Sequence, residues 1–175
     1  MADSDGYPFI FQMIDRNETD NLLIETLQYR FKSERSHHSY IVRVEKYRQH
    51  TYCIKFFDKA NSSSRQKYSL RTNTFEPRTI FYTVFHILLD VLEKDDKASF
   101  FFIGAEDERD VLGSSTRRFR VYFRFVTSVV SDKLFAHFAV EDESLYILVN
   151  KVAVADRTNY ASRIISLVKQ EYSHQ

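Results

Sequence analysis

The chain has 175 residues, of which 43% are hydrophobic and 28% are charged, and these fractions are those of an ordinary globular domain. Its 25 basic and 24 acidic residues give a net charge of +1, which excludes a global field that would attract nucleic acid or anionic lipid. The only cysteine, Cys53, excludes an intrachain disulfide bond and predicts a reducing, cytoplasmic location.

The first residues are polar and acidic, so they do not predict a secretory signal, and no run of about 18 apolar residues predicts a membrane span. We predict that residues 1–20 form a partly ordered N-terminal segment with a strand from Tyr7 to Met13. Residues 21–175 are then expected to form a single α+β domain. Between Leu22 and Phe57 the apolar residues alternate at the period of strands, and polar turns separate the runs. One of these turns is predicted at Arg48, Gln49 and His50.

The apolar period changes to that of a helix after Pro77, which suits a first helical turn, and Asp95 and Asp96 end this helix. The apolar run from Ser99 to Ile103 predicts a central buried strand. Two later strands form a hairpin around residues 141–144, and a last helix begins after the cap candidate Asp156. The predicted fold class is α+β: an antiparallel sheet of about six or seven strands, with two or three helices packed on one face.

The segment from Ser114 to Phe125 is the densest in arginine and aromatic residues. Read as a strand, it would point Phe119, Val121, Phe123 and Phe125 inward and its arginines outward. Read as a helix, it has a buried stripe and a separate basic stripe, and the hydroxyl cluster before it is typical of a helix cap. We favour the helix, whose buried stripe would consist of Phe119, Tyr122, Phe123, Val126, Val129 and Val130.

A helix here would place free backbone N–H groups and arginines at one end, an arrangement suited to phosphate or carboxylate. The candidate anion-binding residues are Ser115, Thr116, Arg117, Arg118, Arg120 and Arg124. A strand would instead present a basic, aromatic surface closer to a single-stranded nucleic-acid platform. The third interpretation is that these arginines pair with the acidic residues Glu106, Asp107, Glu108 and Asp110 and have only a structural role.

Other reactive residues do not form a recognisable site. The neighbours His37 and His38 would point to opposite faces of a strand, so we predict no shared metal ion. His86 and His137 lie in predicted elements and are expected to be structural, and Cys53 is expected to be a buried, inert thiol. Phosphate-binding loops and zinc-binding spacings are absent from the sequence, and we predict no cofactor.

The order of elements resembles that of small uncharacterised α+β proteins of Bacteroidetes type, whose function is unknown. The likeness lies in the helix start at Phe75-Glu76-Pro77-Arg78-Thr79-Ile80-Phe81-Tyr82-Thr83-Val84 and in Thr116-Arg117-Arg118-Phe119-Arg120-Val121-Tyr122 after the buried strand. It covers about residues 27–150 and implies a bacterial source and a helix in the second segment. It implies no activity.

These observations favour a non-catalytic binding or adaptor module that acts through contacts with a protein partner or as a homodimer. The alternative is a nucleic-acid or nucleotide-phosphate binder that uses the arginine-rich helix start. An enzyme is disfavoured, since no catalytic base or nucleophile stands out.

Overall fold

The computed structural model describes residues 5–16, 22–68, 76–104 and 115–172. Within these ranges, seven strands form one sheet and three helices pack on it. The strands are β1 (Phe9–Asp15), β2 (Leu23–Lys32), β3 (Ser39–Tyr47), β4 (Thr51–Asp58), β5 (Ser99–Ile103), β6 (Phe135–Val140) and β7 (Leu145–Asn150). The helices are α1 (Pro77–Lys94), α2 (Arg117–Val129) and α3 (Arg157–Tyr172). The predicted α+β class is confirmed.

The sheet has the strand order β1-β2-β3-β4-β5-β7-β6. Neighbouring strands are antiparallel except β4 and β5, which run parallel with Thr51 opposite Ser99. A parallel pair requires a crossover connection, and α1 lies in the connection from β4 to β5. The sheet is therefore mixed, whereas the sequence predicted an antiparallel one.

The helices lie on both faces of the sheet. Helices α1 and α2 share a buried core with Phe100 of β5 and Leu148 of β7. Helix α3 shares a second core with Phe101 and Ile147, the neighbouring residues in the same two strands. This arrangement corrects the expectation of helices on one face, because a strand that is apolar at consecutive positions must be covered on both sides.

The helix ends follow local chemistry. Pro77 occupies the first turn of α1, where its missing N–H group is not needed, and the backbone N–H of Asp95 closes the last turn on the carbonyl of Val91. The side chain of Asp156 accepts a hydrogen bond from the N–H of Asn159 at 3.1 Å, so the predicted cap of α3 is confirmed. Among the described residues, no helix is both long enough and apolar enough to cross a membrane.

Candidate functional site

The start of α2 contains most of the predicted anion-binding residues. Thr116 is 2% exposed, and its hydroxyl accepts a hydrogen bond from the N–H of Phe119 at 3.1 Å. The same hydroxyl donates its proton to the carbonyl of Gly104 at 2.8 Å, and the N–H of Thr116 donates to the hydroxyl of Ser144 at 2.9 Å. Thr116 is thus the cap of α2, and its hydroxyl proton is directed into the protein.

Three of the four arginines of α2 lie on its outer side. Arg117, Arg120 and Arg124 are exposed and follow one another at helical spacing, whereas Arg118 is half-buried and donates to the hydroxyl of Tyr122. The guanidinium of Arg120 donates to the carbonyl of Ser115. The helical interpretation of this segment therefore agrees with the structure.

The acidic residues 106–110 lie outside the described residues, as does Ser114. Pairing between these acids and the arginines of α2 therefore stays a prediction. The anion-binding role of the helix start also stays a prediction, although its candidate residues are all described.

The inner side of α2 is packed with aromatic rings. Tyr122 and Phe125 contact Phe81 of α1, with ring centroids 5.2 and 5.6 Å apart, and Tyr122 also lies against Phe56 of β4. Burial raises the pKa of the Tyr122 hydroxyl, against the opposing charge of Arg118. The cavity among these rings measures about 40 Å³. Small-molecule sites are typically about 300–1,000 Å³, so these aromatics form core and not a ligand pocket.

Among the described residues, the strand β1 presents the largest run of exposed apolar side chains. Ile10, Phe11, Met13 and Ile14 are 53%, 43%, 48% and 41% exposed, and they are nearly consecutive in the chain. The strand lies at one end of the sheet and pairs only with β2. Its outer backbone edge has no partner strand among the described residues.

The apolar residues of β1 occupy both faces of the sheet. Phe11 and Ile14 lie opposite Tyr29 and Leu27, whose side chains belong to the core beneath α1. Ile10 and Met13 lie opposite Arg30 and Gln28, on the face that α1 does not cover. A bulge between Phe11 and Met13 separates the two halves of the strand.

Three of the described histidines lie within hydrogen-bonding distance of another side chain. His38 contacts the buried carboxylate of Asp58, and Nδ1 of His50 lies 2.8 Å from Oδ2 of Asp95. Nδ1 of His137 lies 2.6 Å from the hydroxyl of Tyr146, whose pKa burial raises to about 12. Within the described ranges, no three His, Cys, Asp or Glu side chains are close enough to hold a metal ion.

The contact between His50 and Asp95 lies beside a wide groove that His50 lines together with basic side chains. Burial of Asp95 favours its neutral form, but hydrogen bonds from His50, from Tyr52 and from the N–H of Lys97 outweigh this effect. The pKa of Asp95 is therefore held below its ordinary value. Sequence reasoning missed this pair because its members are 45 residues apart.

The comparisons with known proteins identify no relative. No family model matches the chain, no curated protein matches it, and no solved structure matches it. The resemblance to the Bacteroidetes-type proteins therefore stays an expectation, and the function must be argued from the surface of the molecule.

Proposed function

We propose that the protein is a non-catalytic interaction module that pairs with a second copy of itself through β1. The observation that carries the proposal is the exposed apolar edge strand, with four large side chains at 41% exposure or more. An edge strand presents unpaired N–H and C=O groups that a further strand can satisfy. Apolar side chains on both faces add buried area when that strand is added.

A second copy suits β1 because the strand is compatible with itself. In a two-fold symmetric dimer, the two copies of β1 run antiparallel and each residue meets a position of the same strand. Residues 9–14 carry no charge, so no like charges face each other across the new strand pair. Asp15, at the end of the strand, already contacts the guanidinium of Arg43 at 3.3 Å.

The buried thiol of Cys53, which forms no disulfide bond, is compatible with action in a reducing cytoplasm. The described surface supports the proposal without requiring a cofactor, since strand pairing needs only backbone groups and apolar side chains.

Charge placed on β1 tests this proposal. We expect the wild-type protein to sediment as a dimer at micromolar concentration and the double variant Ile10→Lys/Met13→Lys to sediment as a monomer. Both side chains lie on the face that α1 does not cover, so the variant keeps the core. Analytical ultracentrifugation over a range of concentrations gives the association constant.

The matched control is Val152→Lys, which adds a lysine at an apolar residue that is 84% exposed and lies outside the sheet. This variant should associate like the wild-type protein. A wild-type protein that stays monomeric at all concentrations would overturn the proposal, and so would a double variant that associates normally.

A second candidate function is the binding of nucleic acid by α2, and the exposed stripe of Arg117, Arg120 and Arg124 favours it. Binding through phosphate groups should weaken steeply with salt, and each phosphate that an arginine neutralises adds about 0.7–0.9 to the slope of log affinity against log salt. We expect the triple alanine variant of these arginines to abolish binding to a single-stranded oligonucleotide in a fluorescence titration. Absence of binding by the wild-type protein at low salt would exclude this function.

A further inference from the structure

A polar groove lies at the opposite end of β4 and β5 from the start of α2. The turn between β3 and β4, the loop before β5 and the first turns of α3 form its walls, and the open space between them measures about 540 Å³. The side chains of His50, Lys97, Asn159 and Arg163 line it, and residues 153–155 supply an apolar wall. The volume is within the range of about 300–1,000 Å³ that is typical of small-molecule sites.

His50 is held in one orientation at the edge of this groove. Its Nδ1 lies 2.8 and 3.0 Å from the two carboxylate oxygens of Asp95. That carboxylate also accepts hydrogen bonds from the hydroxyl of Tyr52 at 2.8 Å and from the N–H of Lys97 at 3.2 Å. Because Nδ1 is engaged by Asp95, Nε2 is the ring nitrogen left for a ligand, and 47% of the side chain is exposed.

The backbone that presents His50 is strained. Gln49 and His50 have φ angles of 60° and 56°, a left-handed conformation that glycine and asparagine usually supply in such hairpin turns. The hydroxyl of Tyr160 donates to the carbonyl of Gln49 at 2.8 Å, and the N–H of Ser99 donates to the carbonyl of His50 at 2.9 Å. Contacts from α3 and β5 therefore hold the strained turn, as is common where a side chain is positioned for binding.

Two cations line the groove with His50. Arg163 donates to the side-chain oxygen of Gln49 at 3.2 Å, and Lys97 is exposed. Asp156 also lines the groove, and its Oδ1 accepts a hydrogen bond from the N–H of Asn159 at the first turn of α3. The carboxylate of Asp95 contacts His50. A ligand in the groove therefore meets an ammonium, a guanidinium and an imidazole, together with the single carboxylate of Asp156.

We propose that this groove binds the phosphate group of a small phosphorylated organic molecule. A guanidinium and an ammonium are the side chains that most often hold phosphate, and the imidazole of His50 lines the same groove. The apolar wall at 153–155 accommodates the organic part of the ligand. Inorganic phosphate shares the anionic group but lacks a part that can cover this wall.

Titration calorimetry with phenyl phosphate, inorganic phosphate and phenol tests the proposal. We expect phenyl phosphate to bind more tightly than inorganic phosphate, and phenol not to bind. His50→Asn and Arg163→Gln should each weaken binding of phenyl phosphate at least tenfold. Asparagine tolerates the left-handed backbone at position 50, so the turn is kept.

The matched control is Lys169→Gln, which removes a cation from α3 outside the groove and should leave the affinity unchanged. Absence of phenyl phosphate binding at millimolar concentration would overturn the proposal, and so would equal affinity in the wild-type protein and Arg163→Gln. The result is independent of self-association, because Ile10→Lys/Met13→Lys should bind phenyl phosphate like the wild-type protein.

Discussion

Gly104 shows how a single residue fixes the position of α2. A Cβ atom at this position would lie 2.5 Å from the backbone nitrogen of Phe119 and 2.6 Å from the hydroxyl of Thr116. Backbone cannot yield to such a contact as a flexible side chain can, so Gly104→Ala must push the start of α2 away from β5. We expect a loss of about 1–3 kcal/mol in the free energy of unfolding, as for other overpacked sites, measured by urea denaturation.

Gly6→Ala is the comparison for this prediction. A Cβ atom there would lie 3.0 Å from Nδ1 of His86 and 3.1 Å from the N–H nitrogen of Thr83. These contacts are tight but longer, so the loss of stability should be smaller than that of Gly104→Ala. Equal stability of Gly104→Ala and the wild-type protein would show that α2 does not rest on β5 as described.

At the scale of elements, local signals predicted α2 well and its surroundings poorly. The hydroxyl cluster and the apolar residues beyond position 125 favoured a helix over a strand, and Thr116 is the cap. Phe119 and Val126 of the predicted stripe are buried, but Phe123 is 37% exposed because it lies at the rim of the core, against Tyr146. The helix was predictable because its signals are local, whereas the burial of its side chains depends on residues that are distant in the sequence.

For β1, too, the sequence predicted the element but not its surroundings. The apolar run at Tyr7–Met13 predicted a strand, and the structure has one at Phe9–Asp15. Its position at the end of the sheet follows from pairing with β2 alone, and the sequence pattern of one strand does not contain that information. The proposed interface was therefore not visible until the strand order was known. The groove at His50 was hidden for the same reason, because three distant segments form it.

At the scale of the whole molecule, β5 and β7 link two cores. Each strand is apolar at consecutive positions, and each alternates between the core beneath α1 and α2 and the core beneath α3. The apolar run Ser99–Ile103 predicted a central strand correctly, and its lack of alternation also implied two covered faces. The fold class was predictable from local patterns. The position of α3 on the second face of the sheet could be inferred only from the unbroken apolar run of β5.

The N-terminal segment is fastened to the rest of the molecule by the buried carboxylate of Glu76. The hydroxyl of Tyr7 donates to Oε2 of Glu76 at 2.6 Å, and the hydroxyls of Ser33 and Ser36 donate to the same carboxylate at 2.7 Å each. The N–H of Tyr7 also donates to the hydroxyl of Thr83 at 2.8 Å. One carboxylate thus joins the segment before β1, the turn after β2 and the start of α1.

We expect Tyr7→Phe to loosen β1 without unfolding the protein. The phenyl ring keeps its stacking on Phe31, at 6.2 Å between centroids. The variant loses the hydrogen bond that the hydroxyl donates to Glu76, and it loses those that the hydroxyl accepts from Ser33 at 3.2 Å and from the backbone of Arg35. The bond to the carboxylate alone contributes about 1.5–3 kcal/mol. Amide hydrogen exchange should therefore quicken in β1 more than in β3, because the release is local.

Tyr82→Phe is the control, since no described residue hydrogen-bonds its hydroxyl. Equal exchange of β1 in Tyr7→Phe and in the wild-type protein would show that other contacts hold the strand, and the edge proposed for self-association would not depend on Glu76.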